Sequence, residues 1–286
     1  MADKSALHLI AMGDNCLDVY LTKGRMAVGG NALNVAAHWG LQGFSARYFG
    51  VVGDDLEGEM ILAALAAAGL NPADCASLPG STAVTLLRDH DGDRHFVLED
   101  LGLGLGYLPD PPRFSAMVAA DWLHLGTNTD AGLVRRLVEA GARFSLDLST
   151  RHDGTDLQGV PFVFASGPEL EDDPVAPVFD HLRSLGGRRI LLTCGRRGAF
   201  YSDGGPILHM PARAIAVVDT CGAGDSFIAA FLAAMVVDQL PPEAALQRAT
   251  EAAAVTCQHE GGFRQVLRPI PAWLLAKYAD VIAAAG

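Results

Sequence analysis

The stretch VDTCGAGDSFIAAFL, residues 218–232, decides the fold, because a glycine turn in it leads directly into an amphipathic helix. Apolar side chains then recur at helical spacing, at Phe227, Ile228, Phe231, Leu232, Met235 and Val236. The small residues Gly222, Ala223 and Gly224 let the backbone turn sharply and approach a ligand closely. The free N–H groups of a helix start, together with the helix dipole, make an anion site there.

Asp225 lies at the same helix start. We expect the positive end of the helix to keep its carboxylate ionised at neutral pH. An ionised Asp beside an anion site suits a reaction that removes a proton from a hydroxyl while negative charge gathers nearby, as in phosphoryl transfer to an alcohol. The alternative is that Asp225 only caps the helix and that the glycines only form a turn.

Strand and helix patterns alternate along the rest of the chain. Buried strands are predicted at 7–12, 46–52, 122–125, 144–148, 162–165 and 189–193. Helices are predicted at 31–41, 55–69, 131–140, 175–185, 242–259 and 271–285, besides the one after Gly224. This alternation indicates a parallel sheet with helices on both faces. We expect one domain over residues 1–286.

Two stretches, 17–28 and 81–98, are too polar for central strands of such a sheet. The second one reads as two strands around a turn at Asp91-Gly92. We therefore predict a small separate sheet, inserted in the main domain. Its edges and its apolar face favour pairing with a second copy of the chain.

Composition restricts the partners. The net charge of −12 argues against a nucleic acid or an anionic membrane as partner, since both favour a basic face. The five cysteines include no C-x-x-C pair and fit free thiols in a reducing cytoplasm. No signal-peptide pattern is found, and the most apolar run, 227–237, is too short to span a bilayer. We expect a cytoplasmic protein.

Three motifs in order resemble the ribokinase-like (pfkB) carbohydrate kinases. They are the DTxGAGD run at 219–225, the GGxxxN run at 29–34, and a glycine followed five residues later by Asp at 13–18. The resemblance extends from Gly13 to Gly261. It implies a three-layer α/β/α fold with a mostly parallel sheet, and a small β-sheet lid over the sugar formed by 17–28 and 81–98. It also implies a homodimer through that lid.

The resemblance implies roles for the motif residues. Asp225 would be the catalytic base, and the amides of Gly222, Ala223 and Gly224 would bind the transferring phosphate. The sugar would contact Asp18, Gly29, Gly30 and Asn34.

ATP and Mg²⁺ are the implied cofactors. The nucleotide would lie along Thr193, Gly195, Gly222 and Gly224, with Thr250 and Gly261 near it. Glu169 would hold Mg²⁺ through water, although Ser166 stands where the family usually has Asn. Thr250 likewise stands where many members have Asn. A monovalent cation near Asp219 is common in the family.

Three further patterns have structural interpretations. Gly53–Gly58 matches a GxDxxG element of the family, in which Asp55 is expected to be structural. Arg196 and Arg197 are either phosphate ligands or solvated turn residues. The glycines at 102, 104 and 106 do not predict a dinucleotide loop, because their spacing is wrong and prolines 109, 111 and 112 follow where a helix should start.

The exact residues within the motifs give an indication of the substrate. Segments 13–20, 29–36, 162–169 and 218–232 are closer to fructoselysine 6-kinases than to ribokinases at large. Carboxylates at Asp14 and Asp18 would favour a cationic amine beside the sugar, although they would also serve a neutral sugar. We therefore expect ATP-dependent phosphorylation of an amine-linked ketose such as fructoselysine at its terminal hydroxyl. The alternatives are a kinase for another sugar, a nucleoside kinase with Phe96 as base stack, and a non-catalytic sugar-binding relative.

Overall fold

A computed structural model describes residues 6–90 and 93–285 of the 286-residue chain. Its main sheet has eight strands in the order β14-β13-β12-β11-β10-β9-β1-β4. These strands are β1 (His8–Met12), β4 (Ser45–Phe49), β9 (Trp122–Leu125), β10 (Phe144–Asp147), β11 (Phe162–Ser166), β12 (Ile190–Thr193), β13 (Ala199–Ser202) and β14 (Leu208–Met210). The strands from β12 to β4 are parallel, and β13 and β14 add an antiparallel edge.

Helices cover both faces of this sheet. They are α1 (Asn31–Leu41), α2 (Leu56–Ala67), α3 (Pro111–Ala119), α4 (Ala131–Glu139), α5 (Ala176–Ser184), α6 (Ala223–Leu232), α7 (Pro242–Thr256), α8 (Ala272–Lys277) and α9 (Ala279–Ala284), and one π-helical turn, Ala233–Val237, follows α6.

Successive strand residues point to opposite faces, as the two-residue period of a strand requires. Leu9 and Ala11 pack on the face covered by α1, α6 and α7, whereas Ile10 and Met12 pack on the face covered by α3, α4 and α5. The predicted three-layer α/β/α class is therefore confirmed.

A second, five-stranded sheet lies outside the main one, in the order β15-β3-β2-β7-β8. Its strands are β2 (Cys16–Tyr20), β3 (Arg25–Gly29), β7 (Val84–His90), β8 (Asp93–Asp100) and β15 (Arg268–Pro269). The predicted stretches 17–28 and 81–98 supply the first four. The predicted turn at Asp91-Gly92 lies outside the described residues. We call these five strands the small sheet. A two-stranded parallel pair, β5 (Val51–Gly53) and β6 (Ala76–Leu78), connects it to the main domain.

The segment after α7 ties the small sheet to the main domain. The Gln265 side chain accepts a hydrogen bond from Val28 N (2.8 Å) and donates one to Val28 O (2.6 Å), as a neighbouring strand would. Strand β15 then pairs with Met26 and Arg25. The outer side of β3 is therefore covered by residues from the C-terminal part of the chain.

The GxDxxG element forms the start of α2. Asp55 is the N-cap of α2 and accepts hydrogen bonds from Gly58 N (2.9 Å) and from the N–H (2.9 Å) and hydroxyl (2.5 Å) of Thr82. The bonds with Thr82 fasten α2 to the segment that leads into β7, so the geometry agrees with a structural role for Asp55.

Several elements differ from the sequence-based prediction by more than a shift of their ends. The strand expected at 46–52 is divided into β4 and β5, and the helix expected at 271–285 into α8 and α9. Strand β15 was not predicted. Helix α3 begins at Pro111, where prolines were expected to prevent a helix, because Asp110 caps it and both prolines occupy its first turn. Within the described part of the chain, none of the helices is both long and apolar enough to cross a membrane.

Candidate active site

The polar residues of interest collect at the carboxyl edge of the parallel strands. Gly13 follows β1, Gly126 follows β9, and Asp147 is the last residue of β10. The register of the strands places these ends side by side, with Met12 opposite Leu125 and Leu125 opposite Leu146. This edge is where open parallel sheets bind ligands.

Helix α1 begins beside this edge after the Gly29-Gly30 pair. Gly30 has φ 115°, and a side chain on it would overlap the backbone of Asn15. Only glycine therefore permits this entry into the helix. The first turn of α1 then presents two amide side chains, Asn31 and Asn34, toward the start of α6.

These amides hold Asp225. Asn31 Nδ2 donates to Asp225 Oδ1 (2.7 Å), and Asn34 Nδ2 donates to Asp225 Oδ2 (2.6 Å). The N-cap of α6 is Gly222, with φ 68°, and Asp225 lies in the first turn of the helix instead. The capping alternative for Asp225 is therefore wrong, and the carboxylate is held across two helices.

The protonation of Asp225 differs from the expectation. The residue is half-buried, but its carboxylate is enclosed by α1 and by neighbouring acids, and desolvation raises its pKa to about 8. The hydrogen bond from Asn34 opposes this shift, while the nearby carboxylates of Asp147 and Asp14 add to it. The helix terminus does not offset the loss of water, so the pKa of Asp225 lies above neutral pH, contrary to the prediction of an ionised carboxylate.

Two further acids share the site. Asp147 accepts hydrogen bonds from Asn31 Nδ2 (2.9 Å) and Ser149 N (2.8 Å), and burial raises its pKa to about 6. Asp14 accepts from Ala32 N (3.4 Å) and the Thr127 hydroxyl (3.4 Å), and burial raises its pKa as well.

Sequence reasoning missed Asn31 and Asp147. The available signals were weak: Asn31 opens the helix after a glycine pair, and Asp147 directly follows a buried strand.

The predicted sugar residues Asp18 and Gly29 lie together on β2 and β3. A side chain at Gly29 would overlap the Asp18 carboxylate, which also receives hydrogen bonds from the thiols of Cys16 (3.1 Å) and Cys221 (3.8 Å). Cys221 belongs to the loop before α6, so the structure brings Asp18 next to that loop. Asn34 Oδ1 is buried and has no hydrogen-bond partner in the described part of the chain.

The loop before α6 is shaped by backbone contacts. A side chain on Gly222 would overlap the carbonyl oxygen of Gly262, while a side chain on Gly224 would meet no atom within 4 Å. Asp219 is buried and accepts from Cys221 N (2.9 Å) and Gly261 N (3.0 Å). The start of α6 thus has a fixed backbone and open space over Gly224, which fits an anionic group at its amides.

Thr193, Gly195 and Glu169 form a second group, on the neighbouring strands. Thr193 ends β12 opposite Ser166 of β11. Gly195 has φ 52°, and a side chain on it would come 3.0 Å from Glu169 Cδ, so the carboxylate lies against this turn. Among residues 6–90 and 93–285, no three His, Cys, Asp or Glu side chains are placed to hold a metal ion. Mg²⁺ usually needs only one or two carboxylates beside water and phosphate, so a single exposed Glu169 fits it.

Two candidates for the nucleotide site differ in their hydrogen bonding. Arg197 donates to the carbonyl oxygens of Pro168 (2.9 Å), Leu170 (2.8 Å) and Asp173 (2.7 Å), so it shapes the loop that contains Glu169. Thr250 is buried in α7, and its hydroxyl has no partner among the described residues.

Together, the three-layer fold and the helix start with its held Asp define the class of carbohydrate kinases. A family model described as "pfkB family carbohydrate kinase" matches residues 4–111 and 163–266. The chain belongs to this family, and it is a kinase that transfers a phosphoryl group to a sugar alcohol.

Two relatives cover nearly the whole chain. A fructosamine kinase of Bacillus subtilis is 32% identical over 271 residues, which are 90% of this chain and 93% of the relative. The fructoselysine 6-kinase of Escherichia coli is 31% identical over 265 residues, which are 89% of this chain and 99% of the relative. Among solved structures, Arabidopsis thaliana ribokinase complexed with ribose and ATP has a TM-score of 0.77 at 21% identity, covering 90% of this chain and 94% of that one. This likeness confirms the ribokinase-like fold.

Proposed function

We propose that the protein phosphorylates an amine-linked ketose such as fructoselysine at its terminal hydroxyl, with ATP as donor. The observation that supports the phosphoryl transfer most directly is the Asp225 carboxylate, held by Asn31 and Asn34 at the start of α6. The two relatives named for fructosamine and fructoselysine support the substrate class.

Asp225 acts as the base in this proposal. In its ionised form it accepts the proton of the substrate hydroxyl, as that oxygen bonds to the γ-phosphorus and the bond from phosphorus to the ADP oxygen breaks. The amides of Gly222, Ala223 and Gly224 face the negative charge of the transferring group. A raised pKa makes Asp225 a stronger base, provided that the site can ionise it.

ATP is the phosphoryl donor in this proposal, and Mg²⁺, when bound, would compensate the charge of its phosphates. Thr193, Gly195, Thr250 and Gly261 are the proposed nucleotide contacts, and Glu169 would hold Mg²⁺ through water. A monovalent cation beside Asp219 stays a prediction.

The sugar would lie between Asp18, Gly29, Gly30 and Asn34, with the small sheet above it. Asp18 and Asp14 supply carboxylates near the proposed sugar site. A protonated substrate amine would bind them well, because an ammonium–carboxylate hydrogen bond is stronger than one between neutral groups. The net charge of −12 also favours a cationic over an anionic substrate at long range.

A coupled ADP-release assay tests the proposal with fructoselysine, fructose, ribose, tagatose 6-phosphate and adenosine as acceptors. We expect the highest kcat/KM for fructoselysine. Asp14→Asn sharpens the assay: if the carboxylate binds the amine, KM rises for fructoselysine but not for fructose. Turnover of a neutral sugar without turnover of fructoselysine would overturn the proposed substrate, while the sugar kinase activity would stand. Turnover of adenosine alone would favour a nucleoside kinase, and no turnover with any acceptor a sugar-binding relative.

The small sheet is also the proposed contact between two copies. Its outer strand β8 exposes Phe96, which is 66% accessible to solvent. Light scattering at micromolar concentration tests this: we expect the mass of a homodimer, and a mass near 30 kDa, that of one chain, would contradict it.

A further inference from the structure

We propose that Asn31 and Asp147 are positioning residues for the base: Asn31 joins the two carboxylates, and Asp147, anchored by the backbone, holds a like charge beside Asp225. This rests on the proposed role of Asp225 in phosphoryl transfer. It assigns a task to Asn31, at an unspecified position of the GGxxxN run, and to Asp147 at the end of strand β10, which lies outside the sequence motifs.

The Asn31 amide is fully used. Its Nδ2 has two hydrogens, and it donates to Asp225 Oδ1 (2.7 Å) and to Asp147 Oδ2 (2.9 Å). Its Oδ1 accepts from Thr127 N (3.2 Å), so the orientation of the amide is fixed by a backbone donor. A side chain on Gly126 would come 2.8 Å from this oxygen, so the strand end after β9 is shaped to admit it.

Asp147 is the anchored member of the pair. Its other oxygen accepts from Ser149 N (2.8 Å), and the residue is 7% exposed. Ser149 has φ 47°, an uncommon conformation for a residue other than glycine. The backbone N–H of Ser149 therefore holds one oxygen of Asp147 in place, while Asn31 connects the other oxygen to Asp225.

The groups that face Asp225 act in opposite directions. From α1, the amides of Asn31 and Asn34 stabilise the ionised carboxylate. From the ends of β1 and β10, the carboxylates of Asp14 and Asp147 destabilise it. Helix α6 itself contains no other charged residue, and Asp219 in the preceding loop binds backbone N–H groups instead.

Two substitutions should therefore move the base in opposite directions. Asn31→Ala removes a donor to the ionised form, so Asp225 should ionise at higher pH. Asp147→Asn removes a like charge at nearly constant volume, so Asp225 should ionise at lower pH. A merely structural role for either residue would lower activity at every pH and would not produce shifts of opposite sign.

The first measurement is the pH dependence of kcat/KM with the accepted sugar, which reports the free enzyme. We expect the acid limb to move up by about one pH unit in Asn31→Ala and down by about one unit in Asp147→Asn. Asn71→Ala, at the exposed cap of a short turn far along the chain, is the matched control and should leave the limb in place. Unchanged limbs, or shifts in the same direction, would overturn the proposal.

The second measurement needs no substrate. D225N is introduced into the unchanged protein, into Asn31→Ala and into Asp147→Asn. For each of the three pairs, the difference in Tm between the proteins with and without D225N is measured as a function of pH. The pH at which this difference changes reports the ionisation of Asp225 by linkage, and it should move in the same two directions.

If no sugar is turned over, the proposed function falls, while this series still decides the role of Asn31 and Asp147. If Asn31→Ala does not fold, Asn31→Ser supplies the amide-free variant. A midpoint that stays fixed in both backgrounds would overturn the proposal.

Discussion

Asp55 and Asp225 both lie at the start of a helix, yet their environments are opposite. Asp55 is the N-cap of α2, and backbone and hydroxyl donors surround its carboxylate. Burial raises the pKa of Asp55, but the bonds from Thr82 and Gly58 outweigh it, so that the net pKa is lowered. Asp225 lies inside the first turn of α6, and its pKa is raised to about 8.

The difference teaches that position within the first turn matters more than the helix dipole. At the N-cap, a carboxylate accepts hydrogen bonds from the free N–H groups of its own helix, and these bonds stabilise the fold. Three residues further on, the Asp225 carboxylate receives only side-chain amides from α1 and faces Asp147 and Asp14. The contacts of Asp55 lower its pKa, and the carboxylates around Asp225 add to the raised pKa of that residue.

The largest expected effect is on turnover. Asp225→Asn keeps the size of the side chain but removes the proton acceptor, so kcat should fall by at least about 10²-fold, the scale of a lost general base. Asp55→Asn should keep kcat close to that of the unchanged protein below its unfolding temperature. The ADP-release assay compares both, and full turnover by Asp225→Asn would contradict the contrast between the two acids.

The pH dependence of kcat/KM should show which acid titrates in the reaction. Asp225 must be ionised to accept a proton, so kcat/KM should rise with pH by about tenfold per unit and level off near the raised pKa of Asp225. Asp55, whose pKa is lowered, is ionised throughout this range. A flat profile between about pH 6 and 8 would show that Asp225 is already ionised in the free enzyme.

Stability should respond to Asp55. Asp55→Ala removes the cap of α2 and the acceptor for Thr82, and should lower the free energy of unfolding by about 1–2 kcal/mol in urea titrations. Because the folded-state pKa of Asp55 is lowered, its ionic contribution is complete above the unfolded value and is lost as pH falls through the folded one. The difference between the two proteins should therefore shrink in acid.

For Asp225 the sign is reversed. Its folded-state pKa is raised, so the folded protein binds more protons than the unfolded chain, and stability falls as pH rises from about 4 to about 8. Asp225→Asn should therefore gain in Tm over the unchanged protein as pH rises. An equal difference in Tm at pH 5 and pH 9 would contradict the raised pKa.

The smallest expected effect concerns Thr82. Its buried hydroxyl donates to Asp55 and accepts from Gly53 N (2.8 Å). Thr82→Val keeps the shape but removes both bonds, and should cost about 1 kcal/mol of unfolding free energy with kcat unchanged. Urea denaturation measures the change in unfolding free energy. A fall in kcat of tenfold or more would contradict the prediction and show that the bonds of Thr82 affect catalysis.

The central elements could be predicted because their signals are local. Strand β9 and helix α1 have the expected bounds, since each is a continuous apolar or amphipathic run between turn residues. Strand β15 could not be predicted, because two residues, one of them a proline, are too few to show a strand pattern of alternating side chains. They form a strand through their pairing with β3. The start of α3 was misread because prolines break a helix interior but fit its first turn.

The site was predictable only in part. Asp225, Gly222 and Asp18 stand in recognisable motifs, whereas Asn31 bonds to residues 116 and 194 positions away, and its place after a glycine pair is only a weak local signal. The ionisation of Asp225 was mispredicted because the helix dipole is visible in the sequence, but the two opposing carboxylates come from other strands. Charges that meet only through the fold decide the chemistry of this helix start.

The pairing of Gln265 with Val28 has a consequence for how copies of the chain can associate. A β-sheet edge recruits another strand only where its N–H and C=O groups are open. Along β3, Gln265 engages Val28, and β15 engages Arg25 and Met26, so a side chain and a two-residue strand close that border. In the order of the small sheet, the opposite border is β8. A strand from a second molecule therefore cannot extend this sheet along its β3 border.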